Sequence, residues 1–543
     1  MAWCLFRIAS LLAWQAIDFS ITFVRSCPSR SNGSLPDSAT KHDIWSKPCS
    51  CRALSLADSP ELSQDGANVP AAMLDGSGPY GAYLSRGKSR VENGKEINVN
   101  AYRKLLAKAV RVLIPGILVL LCSPGALRAQ QQLFVDCSGT NPYVYSSINA
   151  ALQNAGPGTS IFVTGTCNES VFLFGQNALN LGAFFGQTAT INGTLQINNS
   201  QNIFFYGLNV TNASGDGIGV GHSVGVVLDN CASTGNAGVG LSVGGMSDVT
   251  VSAAGAFDYN ARGGMNIGGN SIVQVYAFAG LVDISNNAGP GIWVSQANFW
   301  TLGSTTVANN LSGPGSNPGF GIDLLGGAHA QFGAIFGPNH VSGNQQGGAS
   351  LQETAEISFF SIGQPNFIQG NGPVGVSVGF GSQVTFFDIS GPLGVQISGH
   401  SSAGVDLYAN SQAYFSGANL VQGNGSGADA RSAGIRVDGN SEAFLRGGQV
   451  SGNSGPGMLV LVNSSADFSG VSFSGNNGVI SCDSSSTMVS DLAGPSSTPP
   501  AGVSCRTPHG LGGRQITKTL PLVPDWSAQK AQHDRYAKLA VKH

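Results

Sequence analysis

The feature that most constrains this chain is a glycine that returns at intervals of 21 to 30 residues, each time ahead of a short apolar, alternating run. These anchors are Gly217, Gly240, Gly264, Gly291, Gly321, Gly348, Gly375, Gly404, Gly434, Gly457 and Gly478. An Asn stands four residues before seven of them: Asn236, Asn260, Asn287, Asn317, Asn344, Asn371 and Asn453. A unit of this length holds two or three short strands. It is too short for a propeller blade, which takes about 40 residues or more, and it fits one turn of a parallel β-solenoid. The fold class predicted for residues 130–505 is therefore all-β: a right-handed parallel β-helix of about a dozen coils, wound from one chain. Its hand follows from the strong preference for right-handed crossovers.

Stacked coils repeat at about 4.8 Å and bury one apolar row inside each strand. Gly, Asn and Ser suit the corners, where left-handed backbone is needed. Asn at an equivalent corner of successive coils can form a hydrogen-bonded ladder. The composition agrees with a folded body: 77 of 543 residues are Gly, 42% are apolar and only 10% are charged, the reverse of a disordered chain. Residues 130–505 hold no Lys and four Arg (Arg262, Arg431, Arg436 and Arg446) against 18 Asp and Glu, a net charge of −14. Nucleic acid is excluded as a partner, since there is no basic footprint for phosphates.

The flanks read differently. Arg103, Lys104, Lys108 and Arg111 precede an apolar run at 112–121, and small residues follow up to Ala129. That layout predicts a secretory signal peptide over 99–129, cut after Ala129. The protein is then secreted, extracellular or on the cell surface, with no membrane span in the mature chain. Residues 1–98 have no periodicity, and two readings stand. One is an upstream extension from a miscalled start, the true start being a non-ATG codon near Val91 or Val99; the other is a genuine leader. Residues 506–543 form a basic tail with a short helix. After Ala129 five cysteines remain, and their positions suggest two terminal disulfides, Cys137 with Cys167 and Cys482 with Cys505, leaving Cys231 as a thiol. There is no cysteine or histidine cluster that would predict a metal site.

Phe134-Val-Asp-Cys137 is followed by Ser147-Ile-Asn-Ala-Ala-Leu152, then by Gly156 and an apolar run ending at Cys167. Ser147 predicts the N-cap of a short helix with Ile148, Ala151 and Leu152 on one face, which would cap the end of the solenoid. This strand, helix and strand ahead of the coils resembles the secreted bacterial right-handed parallel β-helix proteins of the pectin-lyase-like superfamily. The resemblance covers residues 134–485. It implies the fold; its activities span lyases, hydrolases, epimerases, adhesins and inactive binders. The elements of its pectin-hydrolysing members are missing: Gly221-His222-Ser223 is the nearest histidine match, with Asp216 and Asp229 near it in sequence, and the paired Asp-Asp and basic elements are absent.

The better candidates come from aligning the anchors. Side chains alternate along a strand, so one outward column should read Gly219, Ser242, Asn266, Trp293, Asp323, Ser350, Ser377, Asp406, Arg436, Leu459 and Ile480. Two residues on, Tyr408 should lie beside Asp438. Asp406, Arg436 and Asp438 are the candidate catalytic residues; Trp293, Asp323 and Tyr408 are the candidate substrate-binding residues. The competing reading of the charged group is a salt bridge that fixes coil register. The expected function is a non-catalytic polysaccharide-binding, structural or adhesive module whose partner is a polysaccharide or cell-surface macromolecule. The alternative is a polysaccharide lyase or glycoside hydrolase. No cofactor is expected, Ca2+ entering only under the lyase reading.

Overall fold

A computed structural model describes residues 131–490, apart from 142–143, 186, 279, 389–393 and 427–431. The signal peptide, residues 1–98, Arg431, Cys505 and the basic tail lie outside the described residues.

The body is a parallel β-solenoid with three strands to most turns. Thirteen strands, from Val171–Phe174 to Ile480–Cys482, stack in one continuous sheet that we call the first face. The other two strands of each turn belong to a 25-stranded sheet that makes the second and third faces. Every pairing is parallel, each strand bonding its counterparts one turn away, as in Ile292–Ser295 on Phe320–Leu325. Inward positions are mostly apolar, with buried polar residues such as Thr305, Asn339 and Asn366 near the corners. Phe299, Phe332, Phe359, Phe386 and Phe415 stack inside the coil with neighbouring centroids 4.6–5.7 Å apart.

The predicted N-terminal helix is Ile148–Leu152. The Ser147 hydroxyl accepts from the Ala150 amide at 3.1 Å, and the Glu169 carboxylate accepts from the Ile148 amide at 2.6 Å. Ile148 and Ala151 are buried. Cys137 and Cys167 form a disulfide, and Cys231 is a buried free thiol. Cys482 is also disulfide-bonded; its expected partner Cys505 is not among the described residues.

An asparagine ladder runs up one corner. Asn236 Nδ2 donates to Asn260 Oδ1 at 2.9 Å, Asn260 to Asn287 at 3.1 Å, Asn287 to Asn310 at 3.0 Å, and Asn310 to Asn344 at 2.8 Å. Asn344 then donates to Asn371 at 2.8 Å, and the row resumes as Asn424, Asn453 and Asn476. The backbone amides of the same residues bond the next Asn Oδ1, as Asn310 does on Asn344 at 3.1 Å. Asn317, expected in the row, is not in it. The segment after Leu311, with the short turn Pro314–Ser316, intervenes before the strand, so Asn310 fills the rung instead.

The ladder also explains the anchors, and the reason differs from the expected one. Corner residues such as Asn202, Asn212 and Asn270 do take positive φ, near 55°. The anchor glycines, Gly478 apart, do not. They are glycine for want of room: a Cβ on Gly321 would lie 2.6 Å from Asn344 Nδ2 and 2.7 Å from the Gly348 carbonyl, far inside van der Waals contact. Each of these ten anchors is pressed against the ladder residue of the following turn, His400 for Gly375 and an asparagine for the others.

Candidate functional site

The first face carries the predicted outward column. Register places Gly219, Ser242, Asn266, Trp293, Asp323, Ser350, Ser377, Asp406, Arg436 and Leu459 opposite one another on successive strands. The last position is corrected: Ser481, not Ile480, stands opposite Leu459. Ile480 pairs with Met458 and is buried, because Val479 rather than Gly478 takes the anchor's register on that turn.

Within the column, exposure falls away from Trp293. Trp293 is 36% exposed, whereas Asp323 and Ser350, one and two turns on, are 7% and 2% exposed. Burial raises the Asp323 carboxyl to about 6, against the opposing effect of its hydrogen bond with Ser350. Tyr408 follows the strand Ala403–Leu407 and is aligned between Gly379 and Asp438. Its ring leans back over Gly379, where any Cβ would collide with it, and its hydroxyl is hydrogen-bonded with Ser377. Tyr408 therefore faces Ser377 on the preceding turn, although its backbone also adjoins Asp438 as expected. Burial above all, with the nearby Asp406 and Asp323 charges, raises its pKa. Phe380 stands edge-on to Tyr408 with centroids 5.5 Å apart, and it is 56% exposed. Phe380 was missed from sequence because it sits at a corner with φ 54°, outside the alternating run.

The geometry is a shallow trough along the solenoid axis. Trp293 bounds one end, Tyr408 and Phe380 the other, and short polar side chains floor it. Asp323 to Ser377 spans two turns, roughly 10 Å at about 4.8 Å per turn.

Beyond Tyr408 lies the charged group. Arg436 Nη1 is 3.4 Å from Asp406 Oδ1, and Arg436 Nη2 bonds Asp438. The side chains of Arg436, Asp406 and Asp438 are 11%, 15% and 20% exposed, so this is a largely buried triad rather than a surface ion pair. Arg446 is likewise paired, with Asp467 at 2.6 and 2.9 Å. Asp216, His222 and Asp229 do not meet at one site. Asp216 accepts from the Val239 amide, one coil on, at 2.9 Å, His222 sits at a corner with φ 51°, and Asp229 lies on the second face opposite Tyr206. Among the described residues one group has metal-ligand spacing, Cys137, Cys167 and Glu169. Its sulfurs are spent in the disulfide and its carboxylate on the helix amides.

Residues 193–361 match the family model described as the right handed beta helix region. The body is a right-handed β-helix. The pectin-lyase-like resemblance read from the sequence holds at the level of this fold. No curated protein matches the chain. Similar solved structures include the A-module of the Azotobacter vinelandii mannuronan C-5 epimerase AlgE6, 15% identical, covering 64% of this chain and 93% of that one at a TM-score of 0.36. The receptor-binding protein of bacteriophage Det7, a tailspike, is 12% identical over 67% of this β-helix chain and 77% of its own, with a TM-score of 0.33. PfbA, a surface adhesin of Streptococcus pneumoniae, is 12% identical over 62% and 86%, at 0.24. No helix among the described residues is long and apolar enough to cross a membrane.

Proposed function

We propose that this β-helix is a secreted or cell-surface protein that binds polysaccharide along its first face without turning it over. The observation that carries the reading is the trough from Trp293 to Tyr408. Exposed rings at its ends offer stacking surfaces for sugar faces, and Ser377, half-buried between them, offers a hydrogen bond. A glycan laid along the axis would meet a new polar row at every turn.

The charge set favours an uncharged chain. Arg436 is committed to two carboxylates and Arg446 to a third, which leaves neither to bind a uronate. Those bonds also argue against catalysis by the Asp406, Arg436 and Asp438 group. Two-carboxylate glycoside hydrolysis needs one carboxyl free to give a proton and another free to act on water or on the sugar, and here both hold the same guanidinium.

One observation favours the enzyme alternative. Asp323, raised to about 6, has the property of a general acid near neutral pH. The experiment is a panel of neutral and acidic polysaccharides, with and without Ca2+, assayed for retention, reducing ends and unsaturated products. Retention without turnover, weakened by Trp293→Ala, fits the binder. Turnover abolished by Asp323→Asn establishes a hydrolase or lyase instead.

A further inference from the structure

The first turns carry a cluster of rings on a different face. Phe134 and Phe162 stack with centroids 5.6 Å apart, and Phe184 stands edge-on to both at 6.0 and 6.3 Å. Phe185 leans on Phe162 at 6.2 Å and on Tyr206 at 6.4 Å. Register explains the alignment: Phe134, Phe162, Gly182 and Tyr206 are outward positions of the second face on successive turns. Gly182 makes the room, since a Cβ there would lie 2.5 Å from the Tyr206 ring. On the next two turns the same column holds Asp229 and Ser252, so the aromatic stretch is local. Phe134, Phe184 and Phe185 are 40%, 36% and 60% exposed.

Two cavities adjoin this surface and share Phe162 as a wall. The larger, about 550 Å³, lies between Phe134, Phe162 and Phe184 and a polar rim that includes Asp136, Asn141, Thr164 and Gln187. The smaller, about 140 Å³, is bounded by Phe185, Tyr206, Asn180 and Asp229. The rim is built rather than loose. The Asp136 carboxylate accepts from the Ser138 hydroxyl at 2.5 Å, the Thr140 hydroxyl at 2.8 Å, the Ser138 amide at 3.0 Å and the Asn141 amide at 3.1 Å. These bonds, the side-chain ones from Ser138 and Thr140 foremost, hold it at about 2 and therefore ionised. The Cys137–Cys167 disulfide ties the adjoining chain. None of the described residues lining either cavity is Lys, Arg or His.

A floor of rings, a rim of carboxylate, amide and hydroxyl groups, and no cation define a ligand chemistry. The ligand has flat C–H faces, many hydroxyl donors and no negative charge. We propose that this cradle is a second carbohydrate-binding site, taking a neutral sugar chain whose rings stack on Phe134, Phe162 and Phe185 while the side-chain amide oxygens of Gln187 and Asn180 receive its hydroxyls. An apolar peptide, such as residues 112–121 of this chain, would fill the ring surface and leave the polar rim unused. The site lies on a different face from the Trp293 trough and stands or falls separately from it.

The test is isothermal titration of the full-length protein with cellohexaose and mannohexaose. Binding of at least one probe that weakens tenfold or more in Phe134→Ala/Phe185→Ala, and persists in Trp293→Ala, is the expected result. If the double variant fails to fold, by circular dichroism, Phe185→Ser alone carries the test, because that ring is mostly in solvent. Equal affinity of the ring variants and the wild type overturns the cradle, as does failure of the wild type to bind either probe. A change confined to sedimentation, with sugar affinity unmoved, also overturns it and assigns the rings to protein contact. Loss of binding in Trp293→Ala but not in the ring variants locates the sugar in the trough alone.

Discussion

His400 stands one turn above Asn371 in the corner ladder, its Nδ1 3.4 Å from the Asn371 carbonyl oxygen. Its Nε2 lies 3.1 Å from the Ile368 carbonyl, the place where Asn371 and Asn424 put their own side-chain amides, on Val341 and Ile397. The imidazole thus reproduces one of the two bonds an asparagine makes. It supplies no amide oxygen to continue the row.

This substitution predicts a pH dependence. His400 is fully buried, and burial lowers its pKa below 6.5 despite the two carbonyls that oppose the shift. The unfolded chain binds the proton more readily, so stability is complete above the unfolded value and is lost as pH falls below about 6.5. His400→Asn should remove this loss and restore a rung, a gain of about 1 kcal/mol. Urea denaturation at pH 5 and pH 8 checks it: the variant should gain more at pH 5 than at pH 8.

Gly321→Ala tests the spatial account of the anchors. The added methyl meets the Asn344 amide and the Gly348 carbonyl, and overpacking of this kind costs about 1–3 kcal/mol. Gly370, a corner glycine with φ 56° and open space around its Cβ position, should lose only about 1 kcal/mol on substitution by Ala. Equal losses at the two sites would contradict the packing explanation.

Arg436→Ala should destabilise the body by about 2–4 kcal/mol, because it strands two mostly buried carboxylates. Replacing Asp406 and Asp438 with Asn in the same chain should recover much of that loss. Thermal melts of the single and triple variants give the comparison.

Asp323→Asn should stabilise the protein above pH 6. The native carboxyl is raised to about 6 from 3.8, so the native state holds the proton more tightly and stability falls as pH climbs from about 4 through 6. The gain at pH 8 is on the order of 2–3 kcal/mol, vanishing near pH 4. A melting-temperature series over that range reads it directly.

The repeat and its outward column were legible because each rests on local chemistry. Glycine spacing marks the turns, and strand alternation carries Trp293, Asp323, Asp406 and Arg436 onto one face. Both failures came from indels. The segment after Leu311 moved the ladder from Asn317 to Asn310, and the short final unit moved the column from Ile480 to Ser481. Side-chain direction was beyond reach: no pattern tells that Tyr408 leans back over Gly379, or that Asp323, one turn from Trp293, is buried. The ring cradle escaped notice because its members come from an outer column, Phe134, Phe162 and Tyr206, and from a corner, Phe184 and Phe185, which no single periodicity joins.

The central claim is that the first face holds the polysaccharide. Hydroxyl-radical footprinting, with and without a retained polysaccharide, tests it most directly, since Trp293, Tyr408 and Phe380 are reactive reporters on that face and Tyr259 is an exposed control. The account predicts protection of Trp293, Phe380 and Tyr408 together with unchanged oxidation of Tyr259. Retention of the polysaccharide with all three rings oxidised as in the free protein would contradict it.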